Sequence, residues 1–272
     1  MDAAEAVRAK DDGSVAQYNS NGEGAFVITC DHASNFVPPQ FSDLGLEAAD
    51  LVRHIAWDPG ALGVSRAMSR LLDAPLVCGG VSRLIIDCNR PLGAFDLIAE
   101  KSETTVIPGN ADLSAAAKAG RIARYYDPFH SGVEAAVARK LSNGSAPGVI
   151  AVHSFNPVYN GVSRPWEIGI IHDDDDEWAL GIVDRLRAKG NMTVGVNEPY
   201  SPKDRVYFTL ERHARSRGLP AVMIEIRNDE IADARDQQRW GELLAEVVGD
   251  AYMNLTGGKL SKGVAGARSA GS

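Results

Sequence analysis

Two histidines and two carboxylates of this chain stand at or beside the ends of apolar runs. His32 lies in Cys30-Asp31-His32-Ala33-Ser34-Asn35, and Asp58 in Trp57-Asp58-Pro59-Gly60. His153 lies in Val152-His153-Ser154-Phe155, and Glu225 in Ile224-Glu225-Ile226-Arg227. In α/β sheets the chemistry collects at the carboxyl ends of the strands. Neutral imidazoles with a carboxylate are a ligand set for Zn2+, which takes N, O or S donors in a tetrahedron. A further carboxylate beside such a metal is a candidate base for water activation.

Each residue also has a plainer reading. Asp58 before Pro59 has the form of a helix N-cap with proline at the first helical position; a capping Asp can equally face a metal. Glu225 sits in an apolar strand, where a lone charge costs several kcal/mol, of order 3–5 when its partner is missing. It either pairs with an arginine such as Arg227 or Arg212, or it faces a cleft as a general base. Arg83 and Arg90 flank Leu84-Ile85-Ile86-Asp87-Cys88-Asn89. With Asn89 they can grip a carboxylate bidentately; the alternative is an ion pair with Asp87. Arg164, before Pro165-Trp166, is a further anion-binding candidate, and His213 a candidate to hydrogen-bond substrate. His54 reads as a supporting or surface residue, His130 as packing, and His172 as the entry to a solvated acidic helix start.

Other chemistries lack their residues. Cys30 lies inside an apolar run, where thiols are inert. No Gly-x-Ser-x-Gly elbow surrounds Ser154, and there is neither a Gly-x-Gly-x-x-Gly nor a Walker A loop.

These residues need a scaffold, and 272 residues at 44% hydrophobic and 24% charged supply a core of ample size. A net charge of −8 carries no basic footprint for nucleic acid. Three cysteines, Cys30, Cys78 and Cys88, form no disulfide framework, which suits a reducing compartment. There is no leader-like start and no apolar run of membrane length. The expectation is a cytoplasmic protein with no membrane partner; a homo-oligomer is compatible with the sequence.

Short β-branched runs predict strands at 25–30, 76–78, 84–87, 148–152, 166–171, 193–196 and 221–226. Helices are expected around 47–55, from Asp58 to about 72, from Ser114 toward Leu141 with a kink or split at Pro128, over 177–189 and over 236–254. The alternation predicts an α/β fold, three-layer α/β/α, with a mixed, mainly parallel central sheet of phosphorylase/hydrolase-like type. Residues 1–22 read as a flexible N-terminal segment, 23–256 as a single domain, and 257–272 as a disordered tail.

The motifs as a set resemble the N-formylglutamate amidohydrolase family. They are Cys30 through Asn35, His54 through Ala61, Ser82 through Pro91, His153-Ser154-Phe155, Arg164-Pro165-Trp166, Asn197 through Tyr200, Arg212-His213-Ala214 and Glu225-Ile226-Arg227. The family is similar to the zinc carboxypeptidase and aspartoacylase group. There, one His and a Glu come from a His-x-x-Glu segment, a second His comes later, and an Asp-x-Asn-Arg segment holds the substrate carboxylate. Here Asp87-Cys88-Asn89-Arg90 matches the last element, while Asn35 stands where His-x-x-Glu has its Glu.

The resemblance implies a zinc amidohydrolase acting on a small anionic N-acyl amino acid, with N-formyl-L-glutamate as the namesake substrate. His32 and His153 would bind Zn2+, with Asp58 or Asn35 completing the site; Asp58 is the expected third ligand. Glu225 would be the catalytic carboxylate and Arg83 would help hold the carbonyl oxygen. Asn89 and Arg90 would orient the substrate, with Arg164 and His213 as further substrate contacts. The alternatives are a non-catalytic ligand-binding protein on the same scaffold, or an amidase for another acyl-amino acid or peptide.

Overall fold

A computed structural model of the chain describes residues 14–173 and 176–257. The strands, in chain order, begin with β1 (Val15–Tyr18), β2 (Phe26–Cys30) and β3 (Leu76–Gly79). A hairpin follows, formed by β4 (Lys101–Ser102) and β5 (Thr105–Val106). Then come β6 (Gly148–Phe155), the hairpin of β7 (Val158–Tyr159) and β8 (Val162–Ser163), β9 (Ile168–Ile171), β10 (Val194–Val196) and β11 (Ala221–Arg227). The helices are α1 (Ala48–Leu51), α2 (Ala61–Leu71), α3 (Ala115–Arg121), α4 (Asp127–Ser142), α5 (Glu177–Ala188), α6 (Phe208–His213) and α7 (Ala234–Leu255).

Seven strands form one sheet in the order β1-β3-β2-β6-β11-β9-β10. Its centre, β3-β2-β6-β11, is parallel throughout. β9 runs antiparallel to β11 and β10 parallel to β9, while β1 lies antiparallel along β3. The fold is the expected three-layer α/β arrangement with a mixed, mainly parallel sheet.

Both faces of the sheet are covered, which is why its strands read as continuous apolar runs. Side chains alternate across the strand plane. Ile28, Ile150, Val222 and Ile224 therefore enter one core, with Val64, Met68, Ile182 and Leu244 of α2, α5 and α7. Val27, Val149, Ala151 and Met223 enter the other, with Phe129, Val133 and Leu210 of α4 and α6.

Several elements differ from the sequence reading. Leu84-Ile85-Ile86-Asp87 is not a strand but a buried loop; Ile85 N–H donates to the Ser82 carbonyl and Asp87 N–H to that of Leu97. Its aliphatic side chains fill the second core, so burial produced the apolar run without sheet pairing. Helix α2 starts at Ala61, capped by Gly60 at φ 81°, and Asp58 makes no cap bond. A Cβ at Gly60 would meet the Ile231 carbonyl oxygen at 2.4 Å, so the turn releasing Asp58 from the helix requires glycine. Between Ser114 and Leu141 the helix runs through a π segment, Ile122–Tyr126, and Pro128 falls in the first turn of α4. The π segment carries the helix past Pro128, which has no N–H to donate.

Within the segment expected to be flexible, Val15–Tyr18 pairs as an edge strand, because Ala16 and Tyr18 pack on the first core. Residues 1–13 and 258–272, on which the rest of the two terminal expectations fall, lie outside the described residues, as do Asp174 and Asp175. Among the described residues, no helix is long and apolar enough to cross a membrane.

The junction of β2 and β3 holds the end of β2 tightly. A Cβ at Gly79 would sit 2.1 Å from the Asp31 carbonyl oxygen, one residue before His32. Gly79→Ala must push that backbone aside. Overpacking of this kind costs about 1–3 kcal/mol, and urea unfolding should show a correspondingly lower midpoint.

Candidate metal centre and cleft

Three adjacent parallel strands bring the predicted residues together. His32 follows β2 by two residues, His153 lies near the end of β6, and Glu225 lies near the end of β11. His153 and Glu225 are register partners, so they project from the same face of the sheet. Asp58 arrives by a different route. Its backbone N–H donates to the His32 carbonyl at 2.9 Å, tying the Trp57–Pro59 turn to the end of β2. Ser154 Oγ donates to the Pro59 carbonyl and fixes the turn from the β6 side.

The result is a buried group of His32, Asp58 and His153, with one ligand atom from each within 4.8 Å of the others. Asp58 Oδ2 lies 2.8 Å from His153 Nδ1 and 3.3 Å from His32 Nδ1. On the far side of its ring, His32 Nε2 donates to Asp87 Oδ1 at 2.7 Å. Asp87 also accepts from Arg83 at 2.9 Å and from the Asn89 N–H at 2.9 Å. This carboxylate fixes the imidazole tautomer and turns Nδ1 toward Asp58. Asp58 Oδ1 has no hydrogen-bond partner, with His54 Nδ1 at 3.4 Å and Arg83 at 3.6 Å as its nearest cations or potential cations. Glu225 Oε2 and His153 Nε2 are likewise buried without a hydrogen bond.

The electrostatics follow from this crowding. Asp31, Asp58, Asp87 and Glu225 are all buried, and Arg83 is the guanidinium among them. Burial opposes a charge on every group, and the mutual attractions decide the outcome. Asp58 is held well below the carboxylate range because His32 and His153 outweigh its desolvation. Asp87 is held low in the same way by His32 and Arg83. Burial and Arg83 push His32 down, but Asp87 and Asp58 prevail and raise it. His153 is raised to about 9, its desolvation overcome by the Asp58 hydrogen bond. Glu225, which has no such bond at Oε2, is pushed up to about 7 by burial. His54 is pushed down to about 4, again by burial.

A divalent cation fits this set. Two imidazole nitrogens and a carboxylate oxygen converge, Asp87 backs one imidazole, and buried negative charge exceeds the fixed positive charge.

The group lies at the floor of a cleft of about 570 Å³, which is also lined by Arg83, Asn89, Arg90, Arg164, Tyr200 and Glu225. Not every predicted contact is free for a ligand. The Asn89 side chain is consumed by backbone: its Nδ2 donates to the Val206 carbonyl and its Oδ1 accepts from Thr209 N–H. Arg90 is tied to Asp96 and to the carbonyls of Asn89 and Arg205. Asn35 donates to the Leu51 carbonyl and does not join the His-Asp-His group. His213 is absent from the cleft lining; it lies in the second core, stacked on His130 with a 2.8 Å nitrogen–nitrogen contact. Its position at the end of α6 points it at α4 rather than at the ends of the central strands.

Three residues enter the site that the sequence reading gave smaller parts. Asp87 backs His32, His54 faces Asp58, and Tyr200 closes one wall. For Asp87 a signal existed, since it opens the Asp87-Cys88-Asn89-Arg90 motif. Cys30 is fully buried, and desolvation raises its thiol well above the usual range, which leaves it inert.

The chain is thus a three-layer α/β protein in which strand ends and one turn bring a buried His-Asp-His group into a cleft. The family model described as N-formylglutamate amidohydrolase matches residues 24–232, and the chain belongs to that family. Among solved structures it is similar to the gene product Atu2144 from Agrobacterium tumefaciens. That likeness has 41% identity and a TM-score of 0.87, over 89% of this chain and 96% of that one. It also resembles N-formylglutamate amidohydrolase from Ralstonia eutropha JMP134, at 20% identity and a TM-score of 0.59, over 85% and 95% of the two chains. The second likeness supports the fold. No match was found among curated proteins.

Two outcomes follow from the geometry. Asp87→Asn places an amide N–H2 against Arg83 and removes the charge behind His32. Metal affinity, measured by competition with a chromophoric chelator, should fall about 10- to 100-fold. After chelation, stability should also depend on pH through His153. Its raised folded pKa makes a contribution that is complete below its unfolded value near 6.5 and is lost as pH rises through about 9. Thermal unfolding of the chelated protein should therefore weaken from pH 6.5 to 9, and added Zn2+ should reduce that loss.

Proposed function

We propose that this chain hydrolyses the amide bond of an N-acyl amino acid, with Zn2+ as its metal and N-formyl-L-glutamate as the first substrate to test. The observation that carries the reading is Glu225. It is a buried carboxylate with an unpartnered oxygen, register-paired with His153 and facing the cleft. A buried carboxylate without a partner costs stability, and such groups collect at functional sites. The alternative of an arginine partner has less support, because Arg227 pairs with Asp229 and Glu230 instead.

His32, Asp58 and His153 would hold the metal, which when bound supplies Lewis acidity toward water and toward the scissile carbonyl. The protein's own groups do the rest. Glu225 Oε2 takes a proton from the attacking water and returns it to the amine nitrogen as the C–N bond breaks. Burial raises its pKa, which makes it a better base than an exposed carboxylate. Arg83, held by Asp87 and lining the cleft, has guanidinium N–H groups left to meet the carbonyl oxygen as negative charge grows there. Asp87 thus serves two residues, fixing the ring of His32 and the fork of Arg83.

Glu225→Gln keeps the shape and the neighbours but cannot accept the proton. The zinc-loaded variant should retain about one metal per chain and lose on the order of 10²- to 10⁴-fold in turnover, followed by amine release from a panel of N-acyl amino acids. Near-normal turnover would remove Glu225 from the mechanism. A wild-type chain that binds zinc yet cleaves no member of the panel would favour a ligand-binding role.

A further inference from the structure

Of the three arginines that line the cleft, two are already ion-paired. Arg83 is paired with Asp87 and faces Asp58, and Arg90 is paired with Asp96. Arg164 differs: among the described residues no carboxylate lies within ion-pair distance of it. Its Nη1 donates to the Tyr200 hydroxyl at 3.0 Å, and that is its one side-chain hydrogen bond to a described residue. Its other four N–H groups meet no acceptor among the described residues.

It is nevertheless a built position. Arg164 is only 9% exposed. Its guanidinium carbon lies 4.6 Å from the ring centroid of Tyr159, 4.8 Å from that of Tyr200 and 5.7 Å from that of Phe155. The backbone on both sides is pinned, with Arg164 N–H donating to the Pro157 carbonyl at 2.8 Å and Arg227 reaching the Arg164 carbonyl. Aromatic faces hold a guanidinium in place without satisfying its N–H donors. A salt bridge would have engaged those donors; this arrangement leaves the guanidinium oriented and open to the cleft.

We infer that Arg164, with the Tyr200 hydroxyl, is the carboxylate-binding subsite of this cleft, and that it selects acidic substrates in place of Asn89 and Arg90. The Asn89 side chain has its amide nitrogen and oxygen engaged by backbone and cannot turn to a ligand without breaking those bonds. Arg90 would have to leave Asp96. A planar guanidinium with free parallel N–H groups instead matches a carboxylate directly. The inference rests on the amidohydrolase reading only for which molecule bears that carboxylate.

The test is direct binding, which needs no turnover. L-glutamate and glutarate are titrated by calorimetry into the zinc-loaded wild type, Arg164→Gln and Arg164→Lys, alongside the neutral diamide of glutarate. The wild type should bind the acids, with Arg164→Gln weaker by about 10- to 100-fold and Arg164→Lys in between. The diamide should bind equally poorly to all three, and zinc content should be unchanged. With substrates, Arg164→Gln should lower kcat/KM for N-acyl amino acids mainly through KM and leave their carboxamide analogues unaffected. Absence of acid binding by the wild type, or equal acid binding by wild type and Arg164→Gln, would overturn the assignment. So would an equal loss on acids and carboxamides, the mark of a structural or carbonyl-directed role. If the acids bind through Arg164 but no acyl amino acid is cleaved, the subsite stands and the proposed reaction fails. If cleavage is unchanged in Arg164→Gln, the reaction stands and the subsite fails.

Discussion

An excess of buried negative charge is the constraint around which this molecule is arranged. Asp31, Asp58, Asp87 and Glu225 are all nearly inaccessible to water. Each would cost several kcal/mol if left alone there, on the order of what a whole domain has to spare. Arg83 offsets part of this, and the imidazoles of His32 and His153 offset more by binding protons. Protons and a metal cation compete for the same lone pairs. A site whose histidines hold protons so firmly is one in which a divalent ion would relieve the same electrostatic demand.

The scaffold converts that demand into geometry. Parallel neighbours β2, β6 and β11 end on one side of the sheet, so residues remote in sequence fall side by side with no loop needed to reach them. The fourth participant, Asp58, comes from a turn fastened to the His32 carbonyl and released from α2 by Gly60. The buried loop from Ser82 to Arg90 supplies Asp87 and Arg83. The centre is thus held by strand ends for His32, His153 and Glu225 and by well-bonded loops for Asp58, Asp87 and Arg83.

Much of the fold was legible because the strand signals were strong. Runs such as Ala221 to Ile226 and Gly148 to Val152 have no polar alternation and so demand a sheet covered on both faces. The differences have separate causes. Leu84-Ile85-Ile86 is as apolar as a strand because it is equally buried, and composition reports burial, not pairing. Val15–Tyr18 was missed for the converse reason, since an edge strand with one partner needs few apolar residues. At the site, His32, Asp58, His153 and Glu225 could be named from their places beside apolar runs and from the family motifs. His213 packs against His130 rather than lining the cleft; a histidine beside an arginine in a polar stretch gives no hint of which layer its helix packs into.

What the sequence determined by itself was the inventory: an α/β chain, two imidazoles and two carboxylates beside buried runs, and a family signature spread over the whole domain. That information is local, carried by hydrophobic period and by residue type. Only the tertiary structure decided which of these groups meet and which are already engaged. It gave Asp87 to His32, took Asn89 and Arg90 into the framework, and left Arg164 charged among aromatic rings. The physical reason is that a side chain's availability depends on partners drawn from segments up to 178 residues away, as between Asp31 and Thr209, and such pairings follow from chain topology rather than from any stretch of sequence.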